Sequence, residues 1–258
     1  MARIAITGAA GRVGRETLAA FEDTEHEIQA ITHRERQGID SIVADVEEYE
    51  TIERALRGCD VVIHLAGNPS PGADWERIFH VNIDGTRNVY EAAVTHGLER
   101  IIFASTNHVT HMHNVPQNGE WDELVSETKP IRIGDPIRPD SYYAVSKVTG
   151  EALGSYYADR HGIEVIDLRI GWYLTREELQ ERQDEPESIA HYARAIWLSP
   201  RDCRHAMRRA VEADLTDTHV TVNVCSRNAE GYLSLVETMR SLDYRPRDDS
   251  SEVLERTD

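Results

Sequence analysis

Tyr143 and Lys147 stand four residues apart, a spacing that on a helix puts a phenol and an ammonium on one face. That pair suits one task, taking the proton from an alcohol while a hydride leaves for an acceptor. A free phenol, with a pKa of about 10, is a poor base at neutral pH, and a neighbouring ammonium together with a cationic acceptor favours the phenolate. Lys129 and Lys147 are the only lysines, so a chain that otherwise uses arginine keeps a compact ammonium here. Ser105 and Thr106 add two hydroxyls at the end of an apolar run.

The acceptor needs a cradle, and Gly8-Ala9-Ala10-Gly11-Arg12-Val13-Gly14 has the form of one. Gly8, Gly11 and Gly14 permit a tight turn, close approach to a pyrophosphate and packing of a helix on its strand. Close packing alone explains three such glycines elsewhere; here an apolar run precedes them and a helical pattern follows. The three signals together read as a nicotinamide-dependent oxidoreductase, with Lys147 also reaching the nicotinamide ribose. NAD-binding units usually end their second strand on an acidic residue, whereas this chain has Thr32-His33-Arg34. His33 and Arg34 suit a 2′-phosphate, which favours NADP over NAD; the bland alternative for Arg34 and Arg36 is a solvated loop. Asp45, followed by Val46, either receives the adenine amino group or caps the next helix.

These residues must be held by alternating elements. Arg3 to Thr7 reads as a strand, Val13 to Phe21 as a helix, and Ile28 to Thr32 and Ser41 to Ala44 as short strands. Tyr49 to Leu56 is a helix ended by Gly58, Asp60 to Leu65 a strand, and Trp75 to His96 a long helix interrupted near Asp84-Gly85. Arg100 to Ser105 follows as a strand, Tyr143 to His161 as a helix stopped by Gly162, and Glu164 to Arg169 as a sixth strand. Such alternation implies an α/β fold, a Rossmann-type doubly wound parallel sheet, with ligands beyond the C-terminal strand ends. Residues 1–170 are expected to form the dinucleotide-binding core, and residues 171–258 a smaller substrate-capping region interleaved with it. His108 to Asp140 reads as a long loop over the active site, and Trp172 to Ser199 as helices of the cap. The acidic tail, Asp248 to Asp258, is expected to fray.

Bulk composition limits the partners. A chain of 258 residues at 40% hydrophobic content buries one sizeable core. A net charge of -18 repels nucleic acid and anionic membranes. With 46 acidic residues and two lysines, the sharper reading is adaptation to molar salt, where surface self-repulsion is screened; the blander one is a merely acidic protein. Cys59, Cys203 and Cys225 are odd in number and far apart, without zinc spacing, so no metal site is expected and the compartment reads as reducing. The N-terminal apolar run is too short for a signal peptide or membrane span, so the expected location is cytoplasmic.

With these residues placed, the chain resembles the extended short-chain dehydrogenase/reductase superfamily, the NAD-dependent epimerases and dehydratases, over nearly its whole length. The matching pieces are Thr7 to Gly14, His64-Leu65-Ala66-Gly67, Val81-Asn82-Ile83-Asp84-Gly85-Thr86, Phe103-Ala104-Ser105-Thr106-Asn107-His108, Pro139-Asp140-Ser141-Tyr142-Tyr143 with Lys147, and Leu168-Arg169-Ile170-Gly171. Within it the chain is most similar to uronate dehydrogenases and glucose-6-phosphate dehydrogenases of salt-loving archaea, through the run ending at His108 and through Trp197-Leu198-Ser199-Pro200-Arg201-Asp202-Cys203.

The resemblance implies roles for particular residues. Thr106 takes the place of the superfamily's catalytic Ser/Thr beside Tyr143 and Lys147. Gly8, Gly11, Arg12, Val13, Gly14, His33, Arg34, Asp45, Val46, Leu65, Ala66, Gly67, Asn82 and Lys147 form the expected cofactor set. Asn107 and His108 match residues that bind sugar hydroxyls, unless they are simple turn residues, and Ser70 lies in a loop that reaches the substrate. One position departs from the pattern: where these relatives carry an arginine five residues before the Trp of the Trp-x-Ser run, this chain has Tyr192, with Arg194 two residues on. Arg194 replaces it, or pairs with the abundant carboxylates while the substrate is a neutral aldose; Arg132, Arg138 and Arg176 are other sources of charge. Relatives also associate through helices corresponding to Trp75 to His96 and Tyr143 to His161, which implies a homo-oligomer.

The expected activity is therefore NAD(P)-dependent oxidation of an aldose-type sugar at C1 to the lactone, the sugar being a uronate, a sugar phosphate or a neutral aldose. Two rivals stand beside it. A nucleotide-sugar epimerase or dehydratase needs a larger C-terminal half than Gly171 to Asp258 provides. A non-catalytic redox sensor has no use for Thr106, Tyr143 and Lys147 together.

Overall fold

Successive residues of a strand face opposite sides of a sheet, and β1 (Arg3–Thr7) feeds two cores: Ile4 and Ile6 enter one apolar cluster, Ala5 the other. The computed structural model describes residues 1–255. The further strands are β2 (Glu27–Thr32), β3 (Ile42–Val43), β4 (Val61–His64), β5 (Arg100–Thr106), β6 (Glu164–Ile170), β7 (Trp172–Tyr173), β8 (Trp197–Leu198) and β9 (His219–Val224). The helices are α1 (Arg12–Phe21), α2 (Tyr49–Ala55), α3 (Trp75–Ile78), α4 (Gly85–His96), α5 (Tyr142–His161), α6 (Arg176–Glu181), α7 (Glu187–Ala195), α8 (Pro200–Glu212), α9 (Val236–Leu242) and α10 (Ser250–Glu255).

One seven-stranded sheet runs β3-β2-β1-β4-β5-β6-β9 with parallel pairing throughout, and β7 and β8 form a separate pair. Helices α1, α8 and α9 supply Phe21, Met207 and Leu242 to the cluster on one face, while α2, α4 and α5 supply Ile52, Val89 and Tyr157 to the other. Strand order reverses between β1 and β4, which opens a crevice beyond their C-terminal ends.

Three regions differ from the sequence expectation or extend it. The long helix from Trp75 is α3, then a π-helical turn at Phe79–Asp84, then α4. The widened turn buries Asn82, and Gly85 after it lets Val46 approach, since a Cβ there would stand 2.8 Å from Val46 Cγ2. Residues past the cap return to the core: α8 packs on α1, and β9 pairs with β6 as a seventh strand, so the region from 171 onward is interleaved with the sheet. The fraying expected of the acidic tail is corrected for residues 248–255. Asp248 accepts hydrogen bonds from Ser199 Oγ (2.5 Å) and Arg201 Nη1 (3.2 Å), and buried Ser250 donates to the Arg194 carbonyl at 2.9 Å. These long-range partners seat α10 against α6 and α7; the rest of the tail call, 256–258, lies outside the described residues.

The stretch from His108 to Asp140 is tied down rather than free. Backbone bonds join Leu124 to Ser188 (3.1 Å), Val125 to Asn114 (2.9 Å) and Ile131 to Tyr232 (2.8 Å), so the loop and the cap share one cluster with Tyr192 and Tyr232. Among the described residues no helix is long and apolar enough to cross a membrane, and no group of His, Cys, Asp and Glu has the makings of a metal site.

Candidate active site

A cleft of about 410 Å³ lies in the crevice, lined by the turn after β1, the end of β2, residues 44–47 and the loop after β4. Gly8 sits at φ +68°, and a Cβ on it would stand 2.7 Å from the Ala66 nitrogen. Gly14 is as constrained, since its Cβ would fall 2.3 Å from the Gly8 carbonyl oxygen. Only glycine fits either position. Gly11 caps α1 without any side-chain acceptor, leaving the helix's first N–H groups for an anion. Thr7 Oγ1 accepts from Ala66 N at 3.2 Å and pairs with His64 Nδ1 at 2.8 Å, which joins the two loops. Burial holds His64 near pKa 3, so this buried joint is uncharged.

The expected cofactor residues divide into groups. Gly8, Gly11, His33, Asp45, Val46, Leu65, Ala66 and Gly67 line the cleft. Val13 packs on the core behind the turn. Asp45 also does its local task, its Oδ1 accepting from Glu47 N at 3.1 Å. Arg12 is turned to the cap instead, where Glu178 pairs with it and its guanidinium lies 5.1 Å from the Tyr173 ring centre. Arg34 is exposed, whereas Arg36 and Arg77 line the cleft, and the buried Nε of Arg36 has no hydrogen-bond partner. A glycine cradle, a helix N-terminus and an unpaired guanidine nitrogen are the features a dinucleotide with its phosphates requires, so these residues fit one.

Tyr143 and Lys147 occupy the first turns of α5, whose start is fixed by Ser141 accepting from Ala144 N at 3.1 Å. Farther along, Gly150 allows the helix onto β5: a Cβ there would overlap Phe103 Cζ at 2.1 Å. Period two in β6 turns Arg169 toward α5, where its Nε and Nη2 hold Glu151 at 2.8 and 2.7 Å. Ser105 donates to the same carboxylate at 2.5 Å, locking the strand end beside the helix. On the other side Asn82 joins α5 to the loop after β4, accepting from Asn68 N at 2.7 Å and donating to Ser146 Oγ at 3.1 Å.

The Lys147 ammonium nitrogen lies 4.8 Å from the Phe103 ring centre and 5.8 Å from that of Tyr143. Burial draws Lys147 down to about 8 and pushes Tyr143 up to about 12, with the Thr106 hydroxyl acting against the rise. Lys147 and Asn82 also meet at Gly67, where a Cβ would stand 3.6 Å from Nζ and 3.2 Å from Asn82 Oδ1.

Beyond Tyr143, the chain end of β5 meets the cap. The His108 ring lies 5.9 Å from the Tyr143 ring, and its Nδ1 is 2.6 Å from Asp140 Oδ2. Burial alone would raise Asp140, but the hydrogen bond and charge of His108 outweigh it and hold the carboxyl below its usual range. Asn107 donates to Tyr192 Oη at 2.6 Å, and that oxygen is 3.3 Å from His108 Nε2. Asn107 and His108 are thus brought together with Thr106 and Tyr143. Ser70 stands exposed on the loop after β4, its N–H donating to Asn68 Oδ1 at 3.1 Å. Arg194 faces another way: Glu187 (2.6 Å), Gln183 (2.9 Å) and Glu230 (2.8 Å) surround its guanidinium, so its placement in the substrate set is corrected to a tie within the cap.

Sequence reasoning missed Arg36, Asp140, His111 and Tyr192 as site residues. Asp140 was within reach, because it immediately precedes the helix cap Ser141 in the motif that carries Tyr143.

The NAD dependent epimerase/dehydratase family model matches residues 4–197. An L-arabinose 1-dehydrogenase (NAD(P)(+)) of Haloferax volcanii is 54% identical over 99% of this chain and 100% of its own length. An NAD-dependent glucose-6-phosphate dehydrogenase of the same organism is 35% identical over 96% of this chain and 94% of its own. A crystal structure of uronate dehydrogenase from Agrobacterium tumefaciens superposes with a TM-score of 0.80 at 27% identity, covering 100% of this chain and 90% of that one. Matched along three quarters of its length and carrying the glycine turn and the Tyr-Lys helix, the chain belongs to the NAD dependent epimerase/dehydratase family.

Proposed function

We propose that this protein is an NAD(P)-dependent sugar dehydrogenase that oxidises an aldose of the L-arabinose type at C1 to its lactone. The observation that carries the reading is the meeting of Thr106, Tyr143 and Lys147 beside the dinucleotide cleft, which Lys147 adjoins at Gly67, with the hydrogen-bonding pair Asn107 and His108 immediately beyond. The full-length relationship to an L-arabinose 1-dehydrogenase supports the choice of sugar.

In this reading the glycine turn and the N-terminus of α1 hold the pyrophosphate, Asp45 and Val46 flank the adenine, and Lys147 holds the nicotinamide ribose. Arg36, rather than Arg34, receives a 2′-phosphate and favours NADP. When bound, an oxidised nicotinamide would supply a hydride acceptor and a positive charge. The Thr106 hydroxyl hydrogen-bonds the C1 oxygen of the sugar and sets it against Tyr143. Tyr143, as phenolate, takes the C1 hydroxyl proton; the C1–H bond breaks, its electron pair leaves as hydride, and the C1–O bond becomes the lactone carbonyl. Lys147 stabilises the phenolate through its charge. Asn107 and His108 hold the other sugar hydroxyls.

The surroundings also enter the proposal. An acidic, lysine-poor chain related to proteins of Haloferax volcanii suits a salt-rich cytoplasm. Trp75, Phe79, Tyr142 and Val145 are exposed along α3, the π-turn and α5, a face suited to association of two copies.

The test is an initial-rate survey in molar KCl, reading formation of reduced nicotinamide with NAD and NADP against L-arabinose, other neutral aldoses, glucuronate, galacturonate and glucose 6-phosphate. Turnover of an aldose supports the reading, and its loss in Tyr143→Phe ties it to this site. Cofactor binding without turnover of any sugar overturns it.

A further inference from the structure

The wall of the site opposite Tyr143 is a chain of hydrogen bonds. Asn107 Nδ2 donates to Tyr192 Oη at 2.6 Å, and that oxygen shares a hydrogen bond with His108 Nε2, 3.3 Å away. His108 Nδ1 in turn donates to Asp140, and Asp140 is further held by Ser141 Oγ at 2.7 Å. With Nδ1 donating to the Asp140 carboxylate, the chain runs from Asn107 to Asp140 through Tyr192 and His108. The Tyr192 ring is 1% exposed and leans on His111, 4.5 Å between ring centres, and on Trp172 at 5.6 Å.

The charge of this wall is bounded from above. Burial raises the Tyr192 phenol well above its ordinary range and lowers His111 to about 4, so both stay uncharged at neutral pH. The His108–Asp140 pair carries a charge of minus one or zero, according to the state of the imidazole, and never a positive one. Arg194 brings no cation, because two residues along α7 from Tyr192 is a rotation of about 200° and its carboxylate partners hold it there. An anionic sugar seated against this wall finds no net positive charge in the His108–Asp140 pair, Tyr192 or His111, so these groups do not repay its desolvation, which costs far more than seating a hydroxyl.

We infer that Tyr192 is a specificity-determining positioning residue: from the cap it orients Asn107 and His108 as a neutral hydrogen-bonding wall that admits an uncharged aldose and rejects sugar carboxylates and phosphates. The inference rests on the sugar-dehydrogenase reading and adds the residue that selects for an uncharged sugar. Removing the phenol oxygen takes from Asn107 one of its two phenol partners, the other being Tyr232, and leaves Asp140 as the side-chain partner of the His108 ring, while the Tyr143 chemistry is untouched. An arginine in its place puts a cation behind the wall.

The experiment is steady-state kinetics of wild type, Tyr192→Phe and Tyr192→Arg at saturating cofactor, with L-arabinose and with glucuronate and galacturonate. Wild type is expected to prefer the neutral sugar by at least about a hundredfold in kcat/KM. Tyr192→Phe raises KM for it about tenfold, the loss of roughly one hydrogen bond, with kcat within about twofold. In Tyr192→Arg the preference ratio shifts toward the uronates by about a hundredfold. Should that variant fail to fold, the KM-against-kcat split of Tyr192→Phe decides alone. A wild type that turns over an aldose but prefers a uronate, or a Tyr192→Phe enzyme with unchanged KM, overturns the inference and leaves the dehydrogenase reading standing. A wild type inactive on every sugar overturns that reading instead, and with it this inference.

Discussion

Replacing Lys147 by Met tests whether the ammonium acts on the phenol through charge or only holds a ribose. Burial sets Lys147 at about 8 and Tyr143 at about 12, so the lysine gives up its proton long before the phenol does. Forming phenolate and ammonium together against that gap of about four units costs about 5 kcal/mol. At the 5.8 Å between Nζ and the phenol ring, and an effective dielectric of about 20, their attraction returns about 3 kcal/mol. The remaining ~2 kcal/mol must come from the positive charge that arrives with the oxidised cofactor. Loss of the ammonium therefore raises the phenol by about two pKa units. Since the deprotonated form is the active one, the acid limb of log kcat against pH moves up by about two units in Lys147→Met, and kcat near pH 7 falls about a hundredfold. The assay is kcat against pH at saturating NAD(P), with cofactor KM measured separately. A limb that stays in place, with kcat lowered by the same factor at every pH, refutes the electrostatic argument and leaves Lys147 only its grip on the ribose.

Three further outcomes follow from other parts of the molecule. Glu151→Gln leaves the buried Arg169 guanidinium without its counter-charge and turns one of its two acceptor oxygens into a donor, so chemical denaturation should show a loss of about 3–5 kcal/mol, and Arg169→Met in the same chain should recover part of it; a midpoint unchanged from wild type contradicts the clamp. Arg36→Ala should raise KM for NADP about tenfold or more while leaving KM for NAD within about twofold, whereas an equal effect on both dissociates Arg36 from the 2′-phosphate. With a net charge of -18, thermal melting should move upward between dilute buffer and molar KCl, and a melting temperature indifferent to salt removes the case for salt adaptation.

What the sequence disclosed and what it concealed divide along the range of the interactions. The glycine turn and the Tyr143-Lys147 pair were legible because each is set by neighbours within one turn: a strand before, a helix after, a four-residue step. The interruption of the helix after Trp75 was legible as a break near Gly85, but not as a π-turn, since nothing in the local pattern states that Asn82 must reach Asn68 and Ser146. Strand β9 has the period-two pattern of Val220, Val222 and Val224, yet its place beside β6 depends on a crossover through α8 that no short window contains. The tail illustrates the opposite error: its charge reads as solvation, while partners at Ser199, Arg201 and Arg194 draw it onto the cap. Tyr192 is the sharpest case. In the sequence it is only a position where an arginine is missing, and Arg194 two residues away looks able to substitute. Helix geometry sends those two side chains to different faces, one into a carboxylate cage and one to Asn107, 85 residues away in the chain. The glycine turn and the Tyr143-Lys147 step are written in local motifs; the contacts between the end of β5 and the cap, on which the proposed choice of sugar rests, are brought together only by the folded chain.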